Sequence, residues 1–360
     1  FKFFKITGTL ISISVIRVGY RHHSLEMHLN KNEKNFIQIK VEQMEILSGE
    51  IEVYSTKIEN QLKYSVFPIA LVPEKEFSEK PAVSIPEAIS TKPGILLVRD
   101  GSWATDIVIR GLGRDNLVVL INGNRIETAN NLSARLSMID MNSIEKIEII
   151  KGGTSAIYGS GGTGGVISIY TKSGQFKRNF SLKGILSGNY SSVNEYFSTG
   201  LTLFLNSKNI YANIYTAFRE ASETKSSGDV IIPNSSFKDN GFSINSGIKL
   251  GNQNFLTLDF QRFYTPYAGI PGGYPLFPVN AAVTYKPAER QFYGITFNKN
   301  YMKGFITDLS AKLFFQNIYR DVEVFPNSIV SFPASGTNPA RRITNISIYP
   351  DGEHYSKGFI

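Results

Sequence analysis

Gly159-Ser160-Gly161-Gly162-Thr163-Gly164 has the G-x-G-x-x-G spacing that can cradle a dinucleotide pyrophosphate. That chemistry needs a strand before the glycines and a helix after them, because the helix N-terminal N–H groups and dipole hold the phosphate. Here the glycines run into Val166-Ile167-Ser168-Ile169-Tyr170-Thr171, a β-branched and aromatic stretch that predicts a strand. The acid that would bind the ribose should lie about 20 residues on, yet Phe180 to Tyr190 holds no carboxylate. The glycines therefore predict a tight backbone turn and no phosphate site.

Other reactive residue types are equally uninformative about catalysis. His22, His23 and His28 could ligate a metal, but adjacent strand residues point to opposite faces and no acid or cysteine completes a set, so no metal is expected. The chain has no cysteine, which excludes disulfides and thiolate chemistry. No nucleophile–histidine pairing, Gly-x-Ser-x-Gly or paired-acid motif occurs, so neither an enzyme nor a cofactor is expected. The net charge of +8 comes from scattered Lys and Arg without a run of five, which predicts a solvated surface and no nucleic-acid partner.

The elements that position these residues read as mainly β. The 25 Phe, 18 Tyr and 31 Gly favour strands and turns. Thr9 to Val18, Ser24 to Leu29 and Asn35 to Val41 predict short strands of a partial β-sandwich over residues 1–50. The start resembles a signal peptide in having basic residues before an apolar run, but Thr7 to Val18 alternates with period two and no cleavage site follows. Pro68, Pro73, Pro81 and Pro86 mark an irregular segment, followed by a brief helix from Ile85 to Ser90. Asp106 to Arg110 and Asn116 to Ile121 predict strands, with Asn122-Gly123 as a hairpin turn. Met141 to Ile150 predicts a helical turn passing into a strand.

No run of about 20 apolar residues exists to form a transmembrane helix. After Gly174, however, the pattern alternates. In Ile210 to Arg219 the even positions Ile210, Ala212, Ile214 and Phe218 are apolar, while Tyr211, Asn213, Tyr215 and Arg219 are polar or amphipathic. Seven such segments lie between Phe180 and Asn317, and an eighth begins near His354. Tight connections at 206–209, 251–254 and 302–305 alternate with long ones at 220–238, 265–288 and 320–340. Short turns at one end and long loops at the other suit a membrane β-barrel, although a soluble sandwich also has one apolar face per strand.

Two stretches decide between them by resemblance. Lys92 to Ile126, with Pro93-Gly94, Ile109-Arg110-Gly111 and Leu120-Ile121-Asn122-Gly123-Asn124-Arg125, resembles the plug of TonB-dependent outer-membrane receptors. Asn122 stands where that family usually has Asp. Residues 144–174, with Tyr158-Gly159 and Gly164-Gly165 before the Val166–Thr171 strand, resemble the plug's second signature. In the same way Ile51-Glu52-Val53-Tyr54-Ser55-Thr56 resembles the TonB box, an extended segment that adds to a sheet edge of TonB. Residues 1–50 resemble the end of a carboxypeptidase-regulatory-like domain.

The resemblance implies a partial β-sandwich (1–50), a TonB-box segment (51–60), a small α+β plug (61–174) and an incomplete antiparallel transmembrane β-barrel (175–360). It implies a transporter in the outer membrane, in contact with outer-membrane lipid. Such a protein takes up a scarce ligand (siderophore, cobalamin, heme, saccharide or peptide) and is energised by TonB. A plugged barrel or β-rich receptor serving binding or adhesion, without active transport, is the rival reading. Outward plug loops at 99–105 and 127–135 would offer Arg99, Asp100, Ser102, Trp103, Glu127, Asn130 and Asn131 to ligand, with Trp103 stacking on it. Tyr267, Tyr274 and Phe277 would add an aromatic wall from a barrel loop. Barrels of plugged transporters have about 22 strands, so the chain is expected to hold part of a longer receptor.

Overall fold

The computed structural model describes residues 10–15, 23–28, 69–79, 82–126, 134–152, 158, 161–251, 253–271, 282–299, 309–325, 330–332, 336, 341–343 and 351–359. The chain divides into two units, Phe1–Ile51 and Glu52–Ile360. In the first unit, β1 (Leu10–Val15) pairs antiparallel with β2 (His23–His28), in register from Leu10 opposite His28 to Val15 opposite His23. The third expected strand, Asn35 to Val41, lies outside the described residues.

The second unit begins with β3 (Ile69–Pro73), α1 (Glu74–Glu79) and α2 (Ile85–Ile89). Ser84 caps α2 in an extended conformation and Pro86 sits in its first turn, where a missing N–H costs nothing. Glu87 Oε2 accepts the Val83 N–H at 2.8 Å, and Ile85, Pro86, Ala88 and Ile89 are buried. Next come β4 (Ile95–Arg99), β5 (Thr105–Ile109) and β6 (Leu112–Gly113), a small antiparallel sheet.

A 3-10 turn (Arg114–Asn116) leads into β7 (Leu117–Ile121). Every residue of β7 is buried, as an unbroken apolar run requires when both faces of a strand are covered. Asn122 (φ 48) and Gly123 (φ 80) then form a two-residue hairpin turn into β8 (Asn124–Arg125). A second 3-10 turn (Met141–Ser143), capped by Asp140, passes into β9 (Ile144–Lys151), the predicted order. With β10 (Gly165–Thr171), these strands form a sheet ordered β3-β9-β10-β7-β8, in which β10 runs parallel to β7 and antiparallel to β9.

The rest is a wall. β11 (Ser181–Ser191), β12 (Tyr196–Asn206), β13 (Ile210–Ala221), β16 (Phe237–Lys249), β17 (Asn254–Pro271), β18 (Ala282–Lys299), β19 (Leu309–Phe325) and β22 (Asp351–Phe359) form one antiparallel sheet in that order. These are the seven alternating segments and the eighth near His354. Two-stranded pieces, β14 (Thr224–Lys225) with β15 (Ile231–Ile232) and β20 (Val330–Phe332) with β21 (Arg341–Ile343), lie in the connections between wall strands. The sheet does not close on itself among the described residues.

The wall has two unlike faces. Tyr211, Tyr215 and Ala217 of β13 are buried, while across the outward face Leu258, Ile295, Leu313 and Phe359 stand exposed in register on four neighbouring strands. A continuous buried cluster joins plug residues such as Ile107, Leu136 and Ile139 to wall residues Tyr196, Phe237, Phe263 and Tyr285. The plug therefore packs on the inward face of the wall.

Two expected loops are shorter than the composition suggested. Residues 265–271, 282–288 and 320–325 belong to β17, β18 and β19. Pro266 and Pro287 were natural breakers, since proline cannot donate to a ladder. Both lie in the same gap of the β17–β18 register, which pairs Thr265 with Ala288 and resumes at Ala268 with Tyr285. The ladder skips them and continues, giving strands of 18 residues where a tilted span needs about 9–11.

Candidate functional site at the plug–wall seam

The glycine signature resolves first. Gly165 opens strand β10 with φ 144, and a Cβ there would lie 2.5 Å from the Ile150 carbonyl oxygen. A side chain would meet the backbone of β9, so glycine is needed for close strand approach. Gly164 is equally confined, between Leu112, Asn116 and Leu117. No helix follows, which removes the geometry a pyrophosphate requires. Tyr158 is partly exposed, and Gly159 lies outside the described residues.

The other plug signatures are turns. Arg110 (φ 50) and Gly111 (φ 84) connect β5 to β6, and the Arg110 N–H donates to the Gly94 carbonyl at 3.1 Å. Asn122 ties its turn to the end of β10, with Nδ2 donating to Thr171 Oγ1 at 2.7 Å and Oδ1 accepting from the Thr171 N–H at 3.0 Å.

The loop between β4 and β5 lies against the end of the wall where the long connections are. Ser102 Oγ is 3.0 Å from Thr224 Oγ1, and a Cβ on Gly101 would meet Gly269 and Pro271. Arg99 is exposed and pairs with Glu87 at 2.9 Å. The Asp100 carboxylate is 3.7 Å from Arg114, and partial burial raises its pKa against that attraction.

Trp103 requires a correction. It is only 2% exposed, packed on Tyr285 with ring centroids 5.3 Å apart, and its Nε1–H donates to Asp239 Oδ2 at 2.9 Å. An indole with its N–H satisfied inside a core is not presented to solvent for stacking. Tyr267 also differs from expectation: it stands in β17, half-buried, accepting from Ser236 Oγ at 3.1 Å. Glu127, Asn130, Asn131, Tyr274, Phe277 and the whole segment Ile51 to Thr56 lie outside the described residues.

The feature that reading the sequence missed is a buried ion pair in the seam. Arg219 and Asp239 are cross-strand partners on β13 and β16. Arg219 donates from Nε and Nη2 to the two carboxylate oxygens of Asp239 at 2.8 and 2.7 Å. Its Nη1 reaches the Val83 carbonyl, and Nη2 also lies 3.2 Å from the Ser137 carbonyl. Opposite charges on the inward stripes of neighbouring segments were the available signal; the plug partners were not visible. Asp140 sits close by, its Oδ1 accepting from the Asn142 N–H at 2.9 Å and its Oδ2 without a hydrogen-bond partner. Burial raises its pKa, with Arg219 and Lys172 opposing and Asp239 adding to the rise.

Comparison with known proteins agrees with this architecture. Residues 62–166 match the family described as TonB-dependent Receptor Plug Domain. The 62–166 segment is a plug domain of the TonB-dependent receptor type. It is 38% identical over 120 residues to the vitamin B12 transporter BtuB of Photobacterium profundum, covering 33% of the chain and 20% of that protein. Over 146 residues it is 29% identical to an iron-regulated outer membrane virulence protein of Vibrio cholerae, covering 37% and 22%. The chain's match thus spans about a fifth of each of these curated relatives.

Two solved structures share the receptor fold. The copper transporter OprC superposes with a TM-score of 0.60 at 18% identity, over 71% of this chain and 38% of that one. The FrpB iron transporter from Neisseria meningitidis gives 0.58 at 15% identity, over 71% and 44%. These likenesses show that the arrangement of plug and wall is a fold shared with both structures.

Proposed function

We propose that the receptor to which this chain belongs is an active transporter, drawing a scarce ligand through the outer membrane under the pull of TonB. The observation that carries this reading is the plug: a folded α+β body packed on the inward face of a wall whose outward face is apolar. A blocked pore is useful only if something opens it, and the likeness of residues 62–166 to the plug of TonB-dependent receptors supports TonB as what opens it. The Ile51 to Thr56 segment, which precedes β3 in the chain, is assigned the TonB contact through backbone strand addition.

The ligand belongs to the range that such receptors carry, which among the matched proteins includes vitamin B12, iron and copper. Arg99, Asp100 and Ser102, at the wall's long-loop end, are assigned to the approach path. In the complete receptor, deletion of Ile51 to Thr56 should abolish ligand-dependent growth while leaving ligand binding to whole cells intact. Growth unaffected by that deletion would favour the binding or adhesion reading.

A further inference from the structure

We propose that Arg219 is the residue by which the wall holds the plug at its outer end, a latch closing the seam when no TonB pulls. Three plug segments, far apart in sequence, converge on one wall ion pair. Arg219 reaches the Val83 and Ser137 carbonyls, while Asp239 receives the Trp103 indole N–H. The three segments are also tied to each other. Ser137 Oγ donates to the Trp103 carbonyl at 2.6 Å, and Thr105 Oγ1 donates to Ser84 Oγ at 2.9 Å. The Trp103–Thr105 segment is bonded to each of the other two, so moving it outward breaks both ties.

The chemistry suits retention. A guanidinium presents its donors in a rigid planar fork, so one side chain can engage a carboxylate and two carbonyls together. Asp239 is 1% and Arg219 11% exposed at the side chain, and Phe237 and Phe263 flank the guanidinium at 6.0 and 5.5 Å. Water is largely kept from the pair, so a lost partner is not replaced cheaply. The plug's backbone carbonyls supply two contacts, which fixes the height of its loops in the wall. This assignment rests on the plugged-receptor reading, but not on transport itself.

The test uses the complete receptor in cells lacking TonB, with entry of vancomycin, an antibiotic too large for ordinary porins, as the probe of an open seam. Arg219→Gln should raise entry about tenfold or more, since truncating one partner of a buried pair shifts an equilibrium by at least that factor, while heat-modifiable migration shows the barrel still folded. Because this chain has no cysteine, Ser102→Cys with Thr224→Cys can be added and oxidised across hydroxyls 3.0 Å apart. The disulfide should restore the barrier, an effect that a merely weakened barrel would not show. If Arg219→Gln fails to assemble, Trp103→Phe decides, since it removes one plug bond and leaves the Arg219–Asp239 pair in place. Unchanged entry in the assembled variant, or a leak that the disulfide does not close, overturns the latch. A leak in cells whose wild-type receptor shows no TonB-dependent uptake would uphold the latch and sink the transport reading instead.

Discussion

Asn122 grips Thr171 with both ends of its amide, one donating to the hydroxyl and the other accepting from the backbone N–H. The hairpin after β7 is thereby pinned to the end of β10, and Lys312 on the wall donates to the Asn122 carbonyl at 3.2 Å. The plug sheet and the wall are thus joined through one turn residue.

Asn122→Asp should be well tolerated, because the Thr171 hydroxyl can turn and donate to a carboxylate that still accepts the N–H. Asn122→Ala should cost about 2 kcal/mol, from two lost hydrogen bonds and a residue less suited to positive φ. Denaturant midpoints for the two variants of the receptor check this, and equal losses would contradict it.

Gly165→Ala should destabilise the plug by about 3 kcal/mol or more, since the added Cβ meets the Ile150 carbonyl and φ is unfavourable. Nucleotide binding is not the property at stake. Micromolar affinity for NAD or ATP in the parent chain, lost in this variant, would overturn the structural reading of the glycines.

Burial of Asp140 makes a pH prediction. Its folded pKa is raised above the unfolded 3.8, so the native state holds a proton that the unfolded state has released. Its contribution to stability is fully present below 3.8 and is lost as pH rises through the folded value. Asp140→Asn should flatten that decline and leave the plug more stable at neutral pH. Thermal unfolding of wild type and variant across this range decides, and parallel curves would refute it.

The outward face can be tested directly. Leu258 and Ile295 are register partners on β17 and β18 in the apolar band. Arginine at either position should cost about 2–4 kcal/mol if the band faces lipid. Folding titrations into bilayers measure this; a cost near zero would place the band outside the hydrocarbon.

Much of this arrangement was legible in the sequence because it rests on local signals. The Asn122-Gly123 turn, the strand after Gly165 and the alternation of Ile210 to Arg219 each follow from a few neighbouring residues. The extension of β17 and β18 past Pro266 and Pro287 was hidden, because only their shared gap in the ladder makes two prolines compatible with one hairpin. Trp103 was misread for a different reason. An aromatic in a polar loop looks exposed until Asp239, 136 residues away, takes its N–H. Pairing of that kind leaves no trace in local composition.

The strand order of the plug sheet treats the two ends of the plug unequally. Among the described residues β3 is an edge strand with one neighbour, paired with β9 over five residues from Ile69 to Pro73. β10, which leads through a short linker into the wall, is flanked on both sides by β9 and β7. The linker itself is fastened, with the Gly174 N–H on Asn245 and the Gln175 N–H on Asn206. In mechanical terms the sheet has a loose end and a fixed end. A load arriving ahead of β3 strains a single ladder, whereas the strand that moors the plug to the wall shares any strain between two.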